Sequence, residues 1–446
     1  MPYQKGNRLP GERASKIGHL EVIQSPLVKK LCESFNDPKI IHSPQNITWQ
    51  SLPSDGTPLN IIFSSDGSIQ TIESNTPPYK AISFVKAALL KMDQYALNKL
   101  DKENPHPFLI RDIMKESALF HATSFPLRHV VIENKSIYHA IREILFESVK
   151  DMGFNDSLGG ALMETLKWIA YEKWNDTPKT ELEHFGCPHC DVNNSGQSNA
   201  TLTFDLEKGK CPKCGNEIFI TDMFGLHQNM AEDYAPNQVA SDYMSVAETL
   251  MILTPIRYFW ENRREVLKNT LLIKDGPLSL RATLAKLSAP IRRLVKYAKD
   301  KGYNIHMLGQ EKSGVFYEHL QLIGNNAPDN SYFYPNNTYI RNEIQHSNSN
   351  SIYGSDTNYG AKVFIKINAY NKFILNVPTG IKGEGVENPT TNNLIGFNNI
   401  VATLPKLLSN RFEGALVPVE LANGVASLST YPSVQILRLF SESFHQ

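Results

Sequence analysis

The sequence predicts a mixed α/β fold interrupted by a small cysteine-rich insert, and three observations carry that prediction. Short apolar runs rich in Ile, Leu, Val and Phe stop at Asp-Gly or Gly, the way strands end at turns. Between them lie longer stretches whose apolar residues recur every three or four positions, as on one face of a helix. Near the middle, four of the five cysteines fall into two CxxC pairs and break the helical pattern. A chain of 446 residues exceeds one minimal domain, since domains average roughly 150 residues. Hydrophobic residues at 41% and charged residues at 20% give enough apolar surface for a sizeable core and exclude wholesale disorder.

Taken in order, residues 1–58 read as a helix-and-loop extension punctuated by Pro10, Pro26, Pro38, Pro44, Pro53 and Pro58. Leu59 to Phe63 reads as a strand, Ser64 to Ser68 as its turn around Asp66-Gly67, and Ile69 to Glu73 as the return strand. Ala81 to Leu90 completes a meander. Helical spacing dominates from Ser136 to Trp174, through Ile137, Ala140, Ile141, Ile144 and Leu145. After the cysteines, Val239 to Arg264 reads as a helix kinked near Pro255. Thr270 to Lys274 is an apolar strand running into Asp275-Gly276, Leu280 to Lys301 a further helix, and Ile305 to Leu308 a strand ending at Gly309. Residues 325–360, dense in Asn, Ser and Tyr, read as a long loop; strands follow at 361–377, then helix and strand from 395 onward. The implied division is an extension (1–58), a first core segment (59–183), an insert (184–222) and a second core segment (223–446).

Cys187-Pro188-His189-Cys190 and Cys211-Pro212-Lys213-Cys214 are separated by twenty residues. Each CxxC turn can aim two thiolates at one ion, and two turns complete a tetrahedral shell, so a zinc ribbon is expected. Four thiolates leave no open coordination position, which makes the expected Zn²⁺ structural. Gly215 sits where such a knuckle often needs positive φ. Cys32 is left over and is expected to be an inert core thiol. Paired CxxC knuckles suit a reducing compartment. With no apolar leader segment and no run of about 18 apolar residues, the sequence is expected to be cytoplasmic and not to enter membranes.

Asp66-Gly67 and Asp275-Gly276 each follow an apolar strand. Carboxylates at adjacent strand ends can bridge two Mg²⁺ or Mn²⁺ ions, which activate a water and stabilise the leaving oxygen in phosphodiester cleavage; equally, Asp-Gly is good turn chemistry and needs no metal. A third carboxylate would come from a helix. Glu248 stands in an apolar stretch where burial is costly unless it is paired, or it is the polar edge of an amphipathic helix; Glu164 is the competing position. Lys312, in a Gly-bounded loop, can neutralise a phosphate or be an ordinary surface lysine. No P-loop occurs, so any ATP-driven step belongs to another protein. The 45 basic and 45 acidic residues cancel, so affinity for DNA must come from a local patch. Arg281, Lys286, Arg292, Arg293, Lys296, Lys299 and Lys301, against Asp300 alone, form one; a solvated helix face is the plainer reading.

In order along the chain, Asp66-Gly67-Ser68, a helical Glu, Asp275-Gly276-Pro277-Leu278, Gly309-Gln310-Glu311-Lys312-Ser313-Gly314 and Pro418-Val419-Glu420-Leu421-Ala422-Asn423 resemble the NurA family of DNA end-processing nucleases. The resemblance implies an RNase H-like core with helical elaboration, Mn²⁺-dependent cleavage of DNA, a homodimer, and a HerA-type hexameric ATPase as partner in DNA repair or anti-phage defence. It maps metal binding to Asp66, Glu248 and Asp275, with Glu261 as the reserve candidate because the spacing from Glu248 to Asp275 is long for the family. The zinc ribbon is an insertion many relatives lack, and many place a His after the Ala equivalent to Ala422, where this chain has Asn423. Tyr431 is a further position of interest. The alternative is a non-catalytic DNA-binding adaptor subunit of a translocase complex.

Overall fold

A computed structural model of the chain describes residues 22–35, 47–74, 76–93, 118–130, 132, 135–151, 162–182, 186–191, 200–230, 234–281, 286–349, 351–380, 389–429 and 432–443. Two units separate by their internal contacts, 1–47 and 48–446. In the first, helix α1 (Pro26–Ser34) begins with the Ser25 hydroxyl accepting from the Val28 N–H and with proline in its first turn. Cys32 lies on this helix and is exposed, which corrects its assignment to a core.

The second unit is built on a nine-stranded sheet. In chain order its strands are β1 (Gln50–Ser51), β2 (Ile61–Glu73), β3 (Ala81–Asp93) and β4 (Ala118–Arg128). After helices α2 (Ile137–Lys150) and α3 (Leu162–Ala170) comes the cysteine insert, with short strands β5 (Glu181–Leu182), β6 (Leu202–Thr203), β7 (Lys208–Lys210) and β8 (Glu217–Phe219) paired as β5–β6 and β7–β8. The chain returns through the long helix α4 (Gln238–Asn262), β9 (Thr270–Asp275), α5 (Ser288–Asp300), β10 (His306–Glu311) and α6 (Val315–Gly324). The last strands are β11 (Ser331–Phe333), β12 (Gly360–Lys366) and β13 (Lys372–Pro378), followed by α7 (Phe397–Leu407), α8 (Val417–Ala426) and α9 (Ser433–Ser443). The sheet order is β1-β11-β12-β13-β10-β9-β2-β3-β4. Strands β2, β9 and β10 are mutually parallel; β3 and β4 continue antiparallel from β2, and β13 is antiparallel to β10.

Two cores cover the two faces. Phe63, Val85, Leu89 and Leu272 pack with α2, α3, α4 and α5, while Ile62, Leu90, Leu271 and Ile273 pack with α7 and α8. Burial on both faces explains why Thr270-Leu271-Leu272-Ile273 is a continuous apolar run. Helix α4 is likewise apolar nearly all round, and Pro255 does not end it. Among the described residues, no helix is long and apolar enough to cross a membrane.

Several expected elements are redrawn. The turn at Ser64–Ser68 is not a turn: β2 runs unbroken through Asp66-Gly67, each residue paired with β3. The helix expected from Leu280 starts at Ser288, because the Leu280 N–H donates to the Thr357 carbonyl and Ser279 bridges to Asn358. Strand β10 continues past Gly309 to Glu311, where it pairs with β13. Residues 325–360 hold β11, a helical turn at Asn337–Tyr339 and a π-helical segment at Ile340–Ile344. Their Tyr and Phe side chains supply the packing that the scarcity of aliphatics concealed, as Phe333 against Tyr339 and Phe364 shows. No strand follows residue 395 among the described residues. Tyr431 lies outside the described residues.

Candidate active site and cysteine centre

The parallel pairing of β2 with β9 sets Ser65 against Lys274, and that of β9 with β10 sets Asp275 against Gln310. Asp66 therefore comes up beside Asp275 where β9 ends. Gly276 has φ of +85°, so the second Asp-Gly is a turn as its sequence suggests, and it ends the strand with the Asp275 carboxylate at the mouth. Gly67 is glycine for a different reason. A Cβ there would lie 2.5 Å from Glu248 Oε1 and 2.5 Å from Met244 Cγ, so the absent side chain is what lets α4 press Glu248 against the strand. The three acids thus line one cleft of about 540 Å³, together with Lys274, Gln310, Lys312, Arg281 and Asn423.

Their electrostatics are uneven. Glu248 is buried, with Oε2 2.9 Å from Lys274 Nζ, so it is not the solvated edge of an amphipathic helix. Lys274 also donates to the Asp275 carbonyl at 3.0 Å. Burial works to lower the pKa of Lys274, and the Glu248 carboxylate more than reverses this, holding the ammonium charged. Asp275 Oδ2 lies 2.9 Å from Lys312 Nζ on the loop after β10. Asp66 faces no lysine at comparable distance among these pairs. Its Oδ1 accepts from the Gly67 N–H at 2.7 Å, and its Oδ2 is buried without a hydrogen-bond partner among the described residues. Burial and then the charge of Asp275 push the Asp66 carboxyl up to about 7, with the Asn423 amide working against them. Glu164 pairs with Lys167 and Glu261 with Arg257, and neither lines the cleft.

This donor set fits a hard divalent cation in its chemistry: carboxylate oxygens, one of them orphaned, and mutual repulsion that a cation would relieve. It is not drawn together as a finished shell. Among the described residues, only the four cysteines bring their ligand atoms within 4.8 Å of one another. There the fit is close. Cys187 Sγ lies 3.6 Å from Cys214 Sγ, and Cys190 Sγ lies 3.7 Å from Cys211 Sγ. Four sulfurs at about 2.3 Å from a tetrahedral Zn²⁺ would stand about 3.8 Å apart. Gly215 has φ of +74°, as the knuckle requires.

A buttress that the spacing of cysteines did not reveal seats this centre. Arg142, inside α2, makes two 2.8 Å hydrogen bonds to Asp222 and donates to the Glu217 carbonyl. Its Nη1 reaches His139 Nδ1 at 3.3 Å and His189 Nε2 at 3.1 Å, the two imidazoles being stacked. One buried guanidinium thus ties a knuckle residue, β8 and the following turn to α2. The only trace in sequence is an arginine on the apolar side of a helix.

Five of the seven basic residues of the expected patch, Arg281, Lys286, Arg292, Arg293 and Lys296, separate. Arg281 is exposed on the cleft wall, held by Asp242 at 2.9 Å. Lys286 is exposed. Arg293 and Lys296 are about half exposed and pair with Glu172 and Asp300. Arg292 points the other way: at 5% exposure it donates to the Ser355 and Asn358 carbonyls, pinning the segment before β12, and so leaves the basic surface.

No protein-family model matches the sequence, and no curated protein matches it. Among solved structures, the chain is similar to the NurA nuclease from Sulfolobus solfataricus over 98% of both chains, at 9% identity and a TM-score of 0.32. A second NurA structure overlaps 98% of this chain and 97% of its own at 11% identity and a TM-score of 0.29. A NurA structure bound to dAMP and manganese overlaps 97% and 96% at 13% identity and a TM-score of 0.27. At these TM-scores the likeness carries no weight beyond itself, and function rests on the cleft.

Proposed function

We propose that the chain is a divalent-metal-dependent deoxyribonuclease that processes DNA ends. The observation that carries this reading is the meeting of Asp66, Glu248 and Asp275 in one cleft, with a buried Asp66 oxygen that has no hydrogen-bond partner among the described residues. The strand run β10-β9-β2-β3-β4, parallel in its first three and antiparallel thereafter, supports an RNase H-like core. Asp66, Asp275 and Glu248 would hold Mn²⁺ or Mg²⁺, which supplies the positive charge that lowers the pKa of water and stabilises the leaving oxygen. The protein's own groups do the rest. Asn423 and the Gly67 N–H orient the Asp66 carboxylate. Lys312, 36% exposed, can exchange Asp275 for a substrate phosphate. Arg281 on the wall, with Lys286, Arg293 and Lys296 beyond it, supplies phosphate contacts along the strand. A homodimer and a HerA-type ATPase that feeds DNA to the cleft, in repair or defence, complete the reading, and the sequence motifs alone support them.

A second reading is favoured by one observation: the three acids do not converge within 4.8 Å as the cysteines do, and two of them hold lysines. A DNA-binding adaptor subunit without cleavage would look the same. The deciding experiment is cleavage of labelled linear DNA with Mn²⁺, Mg²⁺ or EDTA, with and without the ATPase, beside Asp275→Asn. Metal-dependent cutting lost in the variant is the expected result. No cutting by folded, zinc-loaded protein under any of these conditions establishes the adaptor.

A further inference from the structure

We infer that Gln310 is a further, neutral oxygen ligand for the divalent cation of the Asp66–Asp275 cleft; the inference deepens the nuclease reading and rests on it. Along β2, β9 and β10 successive side chains alternate between the two faces of the sheet. Ile62, Ile273 and Leu308 pack in the core under α7 and α8, so Asp66, Asp275 and Gln310, each an even number of residues further on, point to that same face. Parallel pairing sets Gln310 directly beside Asp275, and Asp66 stands on the strand beyond. The three form a row across adjacent strands in the cleft lining, with Asp275 in the middle.

Each end of the row carries an orphaned oxygen. Asp66 Oδ2 and Gln310 Oε1 are both buried without a hydrogen-bond partner among the described residues. The rest of Gln310 is held in place: its carbonyl accepts from the Gly276 N–H at 2.7 Å, and its Nε2 donates to the Gly414 carbonyl at 2.7 Å. Packing does not ask for a glutamine there, since Leu308 on the same strand face and Leu375, its partner on β13, are both apolar. A buried amide oxygen left unpaired opposes folding. A clamp on Gly414 uses Nε2 alone and leaves that cost standing, whereas a cation beside Asp275 removes it. Hard divalent ions accept amide carbonyl oxygens alongside carboxylates. A neutral donor also adds a ligand without adding to the repulsion between Asp66 and Asp275.

The test measures Mn²⁺ affinity of the full-length protein, from the EPR signal of free Mn²⁺ during titration at mildly alkaline pH, beside the metal-free melting temperature. Gln310→Met and Gln310→Glu both lose the donor to Gly414, so both should melt below the wild type without metal. Their affinities should part. Gln310→Met, which offers no oxygen, should weaken Mn²⁺ binding by roughly tenfold or more, and Gln310→Glu, with a charged oxygen in its place, should tighten it. A residue that only clamps the loop would move both affinities the same way or neither. A folded Gln310→Met that binds Mn²⁺ as the wild type does, or a folded Gln310→Glu that binds no more tightly, overturns the inference. Should one variant fail to fold, judged by melting, the other decides alone. A wild type that binds no Mn²⁺ sensitive to Asp66→Asn defeats the nuclease reading of the cleft, and the inference with it.

Discussion

The cysteine centre and the acidic cleft gather cation ligands by different routes. In the insert, each knuckle carries two cysteines across two intervening residues, and sulfurs of opposite knuckles end 3.6 and 3.7 Å apart, the spacing a tetrahedral ion needs. In the cleft, the acids arrive from β2, α4 and β9, and their oxygens stay further apart because like charges repel and lysines draw two of them aside. A local chain turn can preorganise neutral or easily deprotonated thiols. Carboxylates gathered from distant elements need a counter-charge before they will pack. The first arrangement suits a permanent ion and the second an exchangeable one.

The largest effect that sharpens this contrast is at the acids. Asp275→Asn should leave melting temperature and zinc content unchanged while lowering Mn²⁺-dependent DNA cleavage about 10³-fold, since metal charge stabilisation is worth several kcal/mol. Cleavage measured beside calorimetry checks both halves; a joint loss of folding and activity would mean that the cleft, too, is structural. Next comes the buttress. Arg142→Ala leaves the buried Asp222 with the Phe219 N–H but without its charge partner, so it should destabilise the insert by about 3–5 kcal/mol and release zinc, while Mn²⁺ binding in the cleft persists. Denaturant unfolding with a zinc-release dye reads this out, and loss of Mn²⁺ binding in parallel would break the independence of the two centres.

Smaller still is Gly67→Ala. The added methyl meets Glu248 and Met244, so a cost of about 1–3 kcal/mol is expected, together with weaker Mn²⁺ binding and an intact cysteine centre. Equal stability to wild type would mean that α4 can shift to make room. The mildest probe is pH. The Asp66 pKa is raised when folded, so between the unfolded value of 3.8 and about 7 the native state binds more protons, and metal-free stability should fall as pH rises through that window. Mn²⁺ competes with that proton, so its affinity should rise over the same range. Melting curves with and without Mn²⁺ should diverge as pH increases, and curves that stay parallel would remove Asp66 from the ligand set.

Much of this was legible in the residues. The CxxC spacing gave the cysteine centre, the Thr270–Ile273 run gave a strand buried on both faces, and Asp275-Gly276 gave a turn at its end. The identical dipeptide Asp66-Gly67 misled. Local chemistry favours a turn there, but unbroken pairing with β3, pairing with β9 up to Ser65 and the approach of Glu248 over the bare Gly67 backbone hold it in a strand. Arg292 misled in the same way, since a basic residue on a helix is usually solvated, and only the carbonyls of a distant segment showed it to be a clamp.

What the sequence determined by itself is whatever a few neighbouring residues fix through backbone geometry: strand and helix periodicity, a knuckle of two thiolates, a glycine turn. Which carboxylate joins Asp66 and Asp275, which lysine each acid holds, and which basic residues face outward were decided only by the tertiary structure. Charge interactions act through space between segments that the chain separates, and burial, which sets their strength, exists only once the sheet and its two covering layers have formed.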